Sequence, residues 1–298
     1  MRSGSKAALA AFALMGFVGV RACAADDPSI VRNKDVVYAS PSGTPLKLDV
    51  ARPLGEGPFP AVLAIHGGGW RGGSKGDVAP LMDQLVHRGY VAVSPQYRFC
   101  PEFPFPAQVH DVKAAVRWVK AHAAEYRIDP ERVGVVGFSA GGHLALMLGL
   151  TDAKDGLEGD AEAGSPSTRV RAIVNYFGPT DLTARDLPIV SGVMVHDFLG
   201  GLPVKKPELA AQASPLTFLT RDDPPILTFQ GTKDELVPAT QATKLREAMT
   251  KLGVGGRVDI LEGAGHGWAG AEMERTLAET YAFFDEHLKP KPAPKPAP

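Results

Sequence analysis

The feature that most constrains this chain is a change of period around Ser139. Arg132-Val133-Gly134-Val135-Val136 is short and β-branched, which reads as a buried strand. Gly142-His143-Leu144-Ala145-Leu146-Met147-Leu148 reads as the opening of a helix. Between them stands Gly137-Phe138-Ser139-Ala140-Gly141. A strand passes into a helix over so few residues only through a sharp turn, and glycines on both sides of the serine remove the Cβ atoms that would clash there. A helix starting at the serine aims its free N–H groups and the positive end of its dipole at whatever the serine faces. The same G-x-S-x-G spacing also arises by chance, so the rest of the chain decides whether Ser139 is a nucleophile.

The surrounding sequence repeats the strand–helix alternation. Asp35–Tyr38 and Leu46–Val50 alternate around a Pro-Ser-Gly-Thr-Pro turn and predict a hairpin. Ala61–Ile65, Tyr90–Ser94, Val133–Val136, Val170–Tyr176, Pro225–Gln230 and Arg257–Leu261 are apolar runs too short for helices. Val78–Arg88 has helical spacing, and Val109, Val112, Val116 and Val119 mark one face of a helix within Pro106–Tyr126. A last helix is predicted over residues 271–288. This is the pattern of an α/β protein with a mostly parallel central sheet and helices on both faces. Residues 25–288 are assigned to that domain. Two segments break the alternation. Thr151–Thr168, rich in Asp, Glu, Gly and Ser, reads as a surface loop. Residues 182–221 hold short helical pieces, prolines and aromatics, and are expected to form a small cap insertion that roofs a pocket.

The N-terminus has the form of an export signal. Arg2 and Lys6 precede an apolar run from Ala7 to Val20, and Ala22-Cys23-Ala24 supplies small residues for cleavage after Ala24. Lipid modification at Cys23 is the rival reading, and the apolar run is short for a membrane span. The expectation is a signal peptide over residues 1–24 and a secreted or periplasmic protein. Cys100 is then the one remaining cysteine, which leaves no internal disulfide. A formal net charge of −1 over 298 residues gives no electrostatic reason to expect nucleic acid as a partner. The Lys/Pro/Ala stretch 289–298 is expected to be a disordered, extended tail.

A serine hydroxyl needs an adjacent base, and the base needs an orienting acid. On a sheet of this kind the chain order is serine, acid, histidine. Asp234, in the loop after the Pro225–Gln230 strand, is the candidate acid, with Glu235 as the alternative. His266, flanked by glycines after the last strand, is the candidate base, and His287 in the terminal helix is the competitor. His143 and His110 are expected to pack. An oxyanion hole is expected from the N–H groups of Gly68, Gly69 and Ala140, because His66-Gly67-Gly68-Gly69-Trp70 directly follows a strand. Each such donor contributes roughly 10²–10³ in rate. His66 is expected to hold this loop. A phosphate-cradle reading of the glycines lacks the spacing of either nucleotide motif. Trp70, Phe138 and Trp268 are expected to line the substrate pocket, with loop packing as the alternative for the tryptophans. The chemistry requires no cofactor and no metal.

Taken together, His66-Gly67-Gly68-Gly69-Trp70, Tyr97-Arg98 with Pro104-Phe105-Pro106-Ala107, Asp129-Pro130-Glu131-Arg132-Val133, Gly137–Gly142, Gly231-Thr232-Lys233-Asp234 and His266-Gly267 give a resemblance that runs from about residue 35 to 288. The chain resembles the α/β-hydrolase superfamily, in the esterase branch with a His-Gly-Gly-Gly loop. Within it the chain is similar to the acetyl/feruloyl carbohydrate-esterase type and to hormone-sensitive-lipase-like esterases. Phe138 stands where the lipase-like relatives usually carry an acidic residue, which moves the resemblance toward the acetyl/feruloyl type. The resemblance implies acyl transfer through a Ser139 acyl-enzyme on short-chain, acetyl-type esters, small or linked to plant polysaccharide. Feruloyl or other aryl esters are the alternative, followed by a lipase-like esterase, an aryl-formamidase, a serine peptidase or a non-catalytic binding module on the same fold.

Overall fold

The computed structural model describes residues 27–161 and 164–289, so the predicted signal segment and the tail beyond Lys289 lie outside the described residues. Its strands are β1 (Ile30–Ala39), β2 (Leu46–Pro53), β3 (Phe59–Ile65), β4 (Val91–Pro95), β5 (Ile128–Phe138), β6 (Ile173–Tyr176), β7 (Ile226–Gly231) and β8 (Gly256–Leu261). They form one eight-stranded sheet in the order β1-β2-β4-β3-β5-β6-β7-β8. The β1–β2 hairpin and the β2–β4 pair are antiparallel. Every pair from β4 through β3 to β8 is parallel.

The central strands are apolar on both faces because helices cover both. Along β3, Ala61, Leu63 and Ile65 enter one apolar cluster, while Val62 and Ala64 enter the other. The same parity holds in β7, where Ile226 faces one side and Leu227 and Phe229 the other. The first face is covered by α2 (Ala107–Ala121), α4 (Ala140–Leu150) and α7 (Ala239–Leu252), with the short α3 (Ala123–Tyr126) joining β5 to α2. The second is covered by α1 (Ala79–His87) and α8 (Ala271–Leu288). Helix α4 is buried all round, so its composition carries no amphipathic stripe. Helix α7 escaped the sequence reading although Ala242, Leu245 and Met249 bury one face at helical spacing.

The segment 182–221 contains α5 (Ile189–Leu199) and α6 (Pro207–Gln212). Val195, Phe198 and Leu199 of α5 pack into the main apolar cluster. The stretch from Thr151 to Thr168 is mostly the exposed loop expected of it, but it is pinned to the core at three points. Leu157, Thr151 and Thr168 are buried. Lys113, a fully buried residue of α2, donates to the Thr151 carbonyl at 2.9 Å and to Glu158 at 2.6 Å. Burial pushes the Lys113 ammonium pKa down and Glu158 opposes the shift. The acidic composition of this stretch thus supplies a partner to a buried cation as well as solvated surface. Among the described residues no helix is long and apolar enough to cross a membrane.

Candidate active site

The carboxyl ends of the parallel strands carry the candidate residues, as open α/β sheets generally place their ligands. Ser139 stands between β5 and α4 with φ 55° and ψ −120°. A non-glycine residue held there stores strain of about 1–3 kcal/mol. The surroundings over-determine it: its N–H donates to the Tyr176 carbonyl at 2.8 Å, and its carbonyl accepts the His143 N–H at 3.0 Å. A Cβ on Gly137 would run into the Gly141 carbonyl, and one on Gly141 into the carbonyls of Ile65 and His66. The elbow therefore presses backbone against backbone, which explains why the turn carries glycine on both sides.

The loops after β7 and β8 bring two further side chains to Ser139. His266 Nε2 lies 2.8 Å from Ser139 Oγ. His266 Nδ1 lies 2.8 Å from Asp234 Oδ2 and 3.0 Å from Oδ1. A carboxylate only accepts, so Nδ1 carries the proton and the Nε2 lone pair faces the hydroxyl. Asp234 is itself tied down. Its Oδ1 accepts the N–H groups of Leu236 and Val237, each at 2.8 Å, and its Oδ2 accepts from Gln230 Nε2 at 2.9 Å. The Asp234 side chain is fully buried, whereas the neighbouring Glu235 is exposed. His287 lies on α8 with its ring against Phe283. Gln230, near the end of β7, is a residue the sequence reading missed, because the signal is one polar side chain in a largely apolar strand.

The loop from His66 runs beside the elbow. Gly68 and Gly69 have φ of +116° and +60°, and a Cβ on Gly68 would meet the Gly72 carbonyl. Among the described residues no hydrogen bond consumes the N–H of either glycine. Ala140 is the first residue of α4, where backbone N–H groups lack intrahelical acceptors. His66 is buried, stacks on Tyr97 at 4.4 Å between ring centroids, and its Nδ1 lies 2.8 Å from the Gly67 carbonyl. Burial lowers its pKa. The His66 carbonyl accepts from the Tyr97 hydroxyl at 3.1 Å, which anchors the loop from below.

A small cavity opens beside Ser139. Gly69, Trp70 and Ala140 line it from the core, and Leu187, Met194 and Val195 cover it from the 182–221 segment. Its volume is about 30 Å³. Of the three expected pocket residues, Trp70 borders this cavity, and Phe138 and Trp268 do not. Phe138 stacks on Tyr176 at 4.7 Å, on the side of the sheet covered by α1 and α8. Trp268 packs on Phe177 at 5.3 Å and donates its indole N–H to Thr276 of α8 at 2.9 Å. The correction has a simple cause. Phe138 follows Val136 by two residues on β5, so it shares the Val136 face and turns away from the cavity.

A mostly parallel eight-stranded sheet, with a strained serine after β5, an acid after β7 and a histidine after β8, defines an α/β-hydrolase. The chain belongs to the BD-FAE family, whose model matches residues 48–249. A probable carboxylic ester hydrolase of Mycobacterium tuberculosis, LipM, is 34% identical over 254 residues, which are 80% of this chain and 58% of that protein. The chain thus spans little more than half the length of that relative. Among solved structures, a truncated carbohydrate esterase from gut microbiota superposes with a TM-score of 0.78 at 28% identity, covering 88% of this chain and 98% of that one. The propionate-bound esterase Est2 of Thermogutta terrifontis superposes with a TM-score of 0.73 at 27% identity, covering 89% of this chain and 97% of that one.

Proposed function

We propose that this protein is a serine carboxylic ester hydrolase acting on short-chain, acetyl-type esters. The observation that carries the reading is the Ser139–His266–Asp234 chain of hydrogen bonds beside a small apolar cavity. In this mechanism His266 Nε2 takes the Ser139 proton as Oγ attacks the ester carbonyl. Asp234 holds the imidazole in the tautomer with Nδ1 protonated and stabilises the imidazolium that forms. The N–H groups of Gly68, Gly69 and Ala140 receive the developing oxyanion. The imidazolium then protonates the departing alcohol. In the second half His266 deprotonates water, which attacks the acyl-Ser139 carbonyl and releases the acid.

The cavity supports the short acyl chain. Its volume exceeds what one water needs by only about two- to threefold, a size suited to an acetyl or propionyl group. His266 is not among its lining residues. The lining of the cavity by Gly69, Ser139 and Ala140 supports its use for the acyl group, with the alcohol toward the partly exposed imidazole. An alcohol on the open side can be large, in keeping with the likeness to a carbohydrate esterase. Export, read from residues 2–24, brings such an enzyme to extracellular acetylated polysaccharide. The test is a panel of p-nitrophenyl esters of increasing chain length, acetylated xylan and methyl ferulate, with wild type and Ser139→Ala. The expected result is a preference for acyl chains of about two to four carbons, acetate release from xylan, and no turnover by a folded Ser139→Ala. Full activity in that variant would sink the assignment, and a preference for methyl ferulate would move the substrate to aryl esters.

A further inference from the structure

We propose that His143 is a positioning residue for this reaction: acting through Trp70, it holds the Gly68–Gly69 loop in the conformation that receives the oxyanion. The inference rests on the reading of those glycines as oxyanion donors. His143 lies one turn into α4 from Ser139 and is wholly buried. Its Nδ1 lies 3.3 Å from Trp70 Nε1, and its Nε2 lies 2.8 Å from the Ala213 carbonyl in the 182–221 segment. An indole N–H only donates and a carbonyl only accepts. The ring is therefore neutral, with its proton on Nε2 and its Nδ1 lone pair toward Trp70. One side chain thus joins the nucleophile helix, the glycine loop and the cap.

The loop needs such a hold. Gly68, Gly69 and Trp70 all have positive φ, and Trp70 at +58° is not a glycine. L-residues disfavour that region, so the side chain must fix what the backbone resists. The Trp70 ring is clamped on two sides: it stacks on Phe198 at 4.3 Å and meets the His143 ring edge-on at 5.1 Å. The indole–imidazole hydrogen bond sets its rotation between those surfaces. The residue so fixed directly follows Gly69, whose N–H is left free by the described structure. A displacement of about 1 Å at a group that must meet the transition state costs on the order of 10²-fold in rate.

Two substitutions separate the two bonds of His143. Asn places its carbonyl oxygen where Nδ1 stands, so His143→Asn keeps the acceptor for Trp70 and loses the donor to Ala213. Gln reaches the Nε2 position, so His143→Gln keeps the donor to Ala213 and loses the acceptor. On p-nitrophenyl acetate, His143→Gln is expected to lower kcat by roughly 10–100-fold with KM nearly unchanged. His143→Asn is expected to retain most of kcat, and the double variant His143→Gln/Trp70→Phe to be no worse than His143→Gln alone. A merely structural histidine gives another result: equal losses for Asn and Gln, or losses that track the melting temperature. Either outcome overturns the proposal. Should the His143 variants fail to fold, Trp70→Phe removes the N–H together with one ring of the indole, and an undiminished kcat in that variant overturns the proposal equally. Turnover by Ser139→Ala would sink the reading of the whole site. An inactive Ser139→Ala together with equal Asn and Gln losses sinks only the role of His143.

Discussion

Acidification should unlock this protein through His143. The imidazole is wholly buried, and burial pushes its pKa down from the ordinary 6.5 to about 4, with the Ala213 carbonyl opposing the shift only in part. Between those values the unfolded chain binds a proton at this position and the native state does not. Native stability from this source is therefore complete above pH 6.5 and is lost as pH falls toward 4. A difference of about 2.5 between the two pKa values, at about 1.4 kcal/mol each, amounts to roughly 3 kcal/mol by pH 4. That is a large share of the about 5–15 kcal/mol that holds a typical domain together. The physical event is plain: a second proton on the ring would set an N–H of His143 against the N–H of Trp70. The assay is urea unfolding of wild type and His143→Asn at pH 7, 6, 5 and 4. Carboxylates shared by both proteins cancel in the comparison. The wild-type advantage should shrink by about 3 kcal/mol from pH 7 to 4. Parallel stability curves would refute the reasoning, as would a native His143 resonance titrating near 6.5.

Two further outcomes follow from the same geometry. Asp234→Asn should keep the fold and lower kcat by about 10⁴-fold, because an amide no longer selects the required tautomer of His266; stopped-flow and steady-state kinetics on a short ester check it. Met194→Ala should lengthen the accepted acyl chain. The Met194 sulfur would stand 2.7 Å from a Cβ on Gly69, so the thioether lies directly over the loop and closes the cavity. The kcat/KM ratio of hexanoate to acetate esters should rise by roughly 10-fold or more, and an unchanged chain-length profile would remove Met194 from the acyl wall.

Much of the frame was legible because its signals are local. Every strand read from the sequence has its counterpart in the sheet, with ends displaced by a few residues. The short β-branched runs could be buried only as strands with helices on either side. The expected C-terminal helix matches Ala271–Leu288. Helix α7 was equally readable in Ala242, Leu245 and Met249, yet its polar remainder hid the stripe. Phe138 and Trp268 do not border the cavity beside Ser139, although both pack on Phe177 next to His266. Strand parity turns Phe138 to the opposite face, and the hydrogen bond to Thr276 draws Trp268 toward α8. Lys113 and Glu158 are 45 residues apart, so no local pattern could announce their pairing.

By itself the sequence determined the period: where strands end, where glycine must stand at the elbow, and that a serine, an acid and a histidine follow in that order. These are consequences of steric rules acting over a few residues. Only the tertiary structure decided which of two adjacent acids faces the imidazole, because the choice of Asp234 over Glu235 is made by the N–H groups of Leu236 and Val237 and the amide of Gln230. It likewise decided that Trp70 walls the cavity and that His143 joins it to the 182–221 segment. Side-chain direction and burial depend on elements far away in the chain, and no local rule contains them.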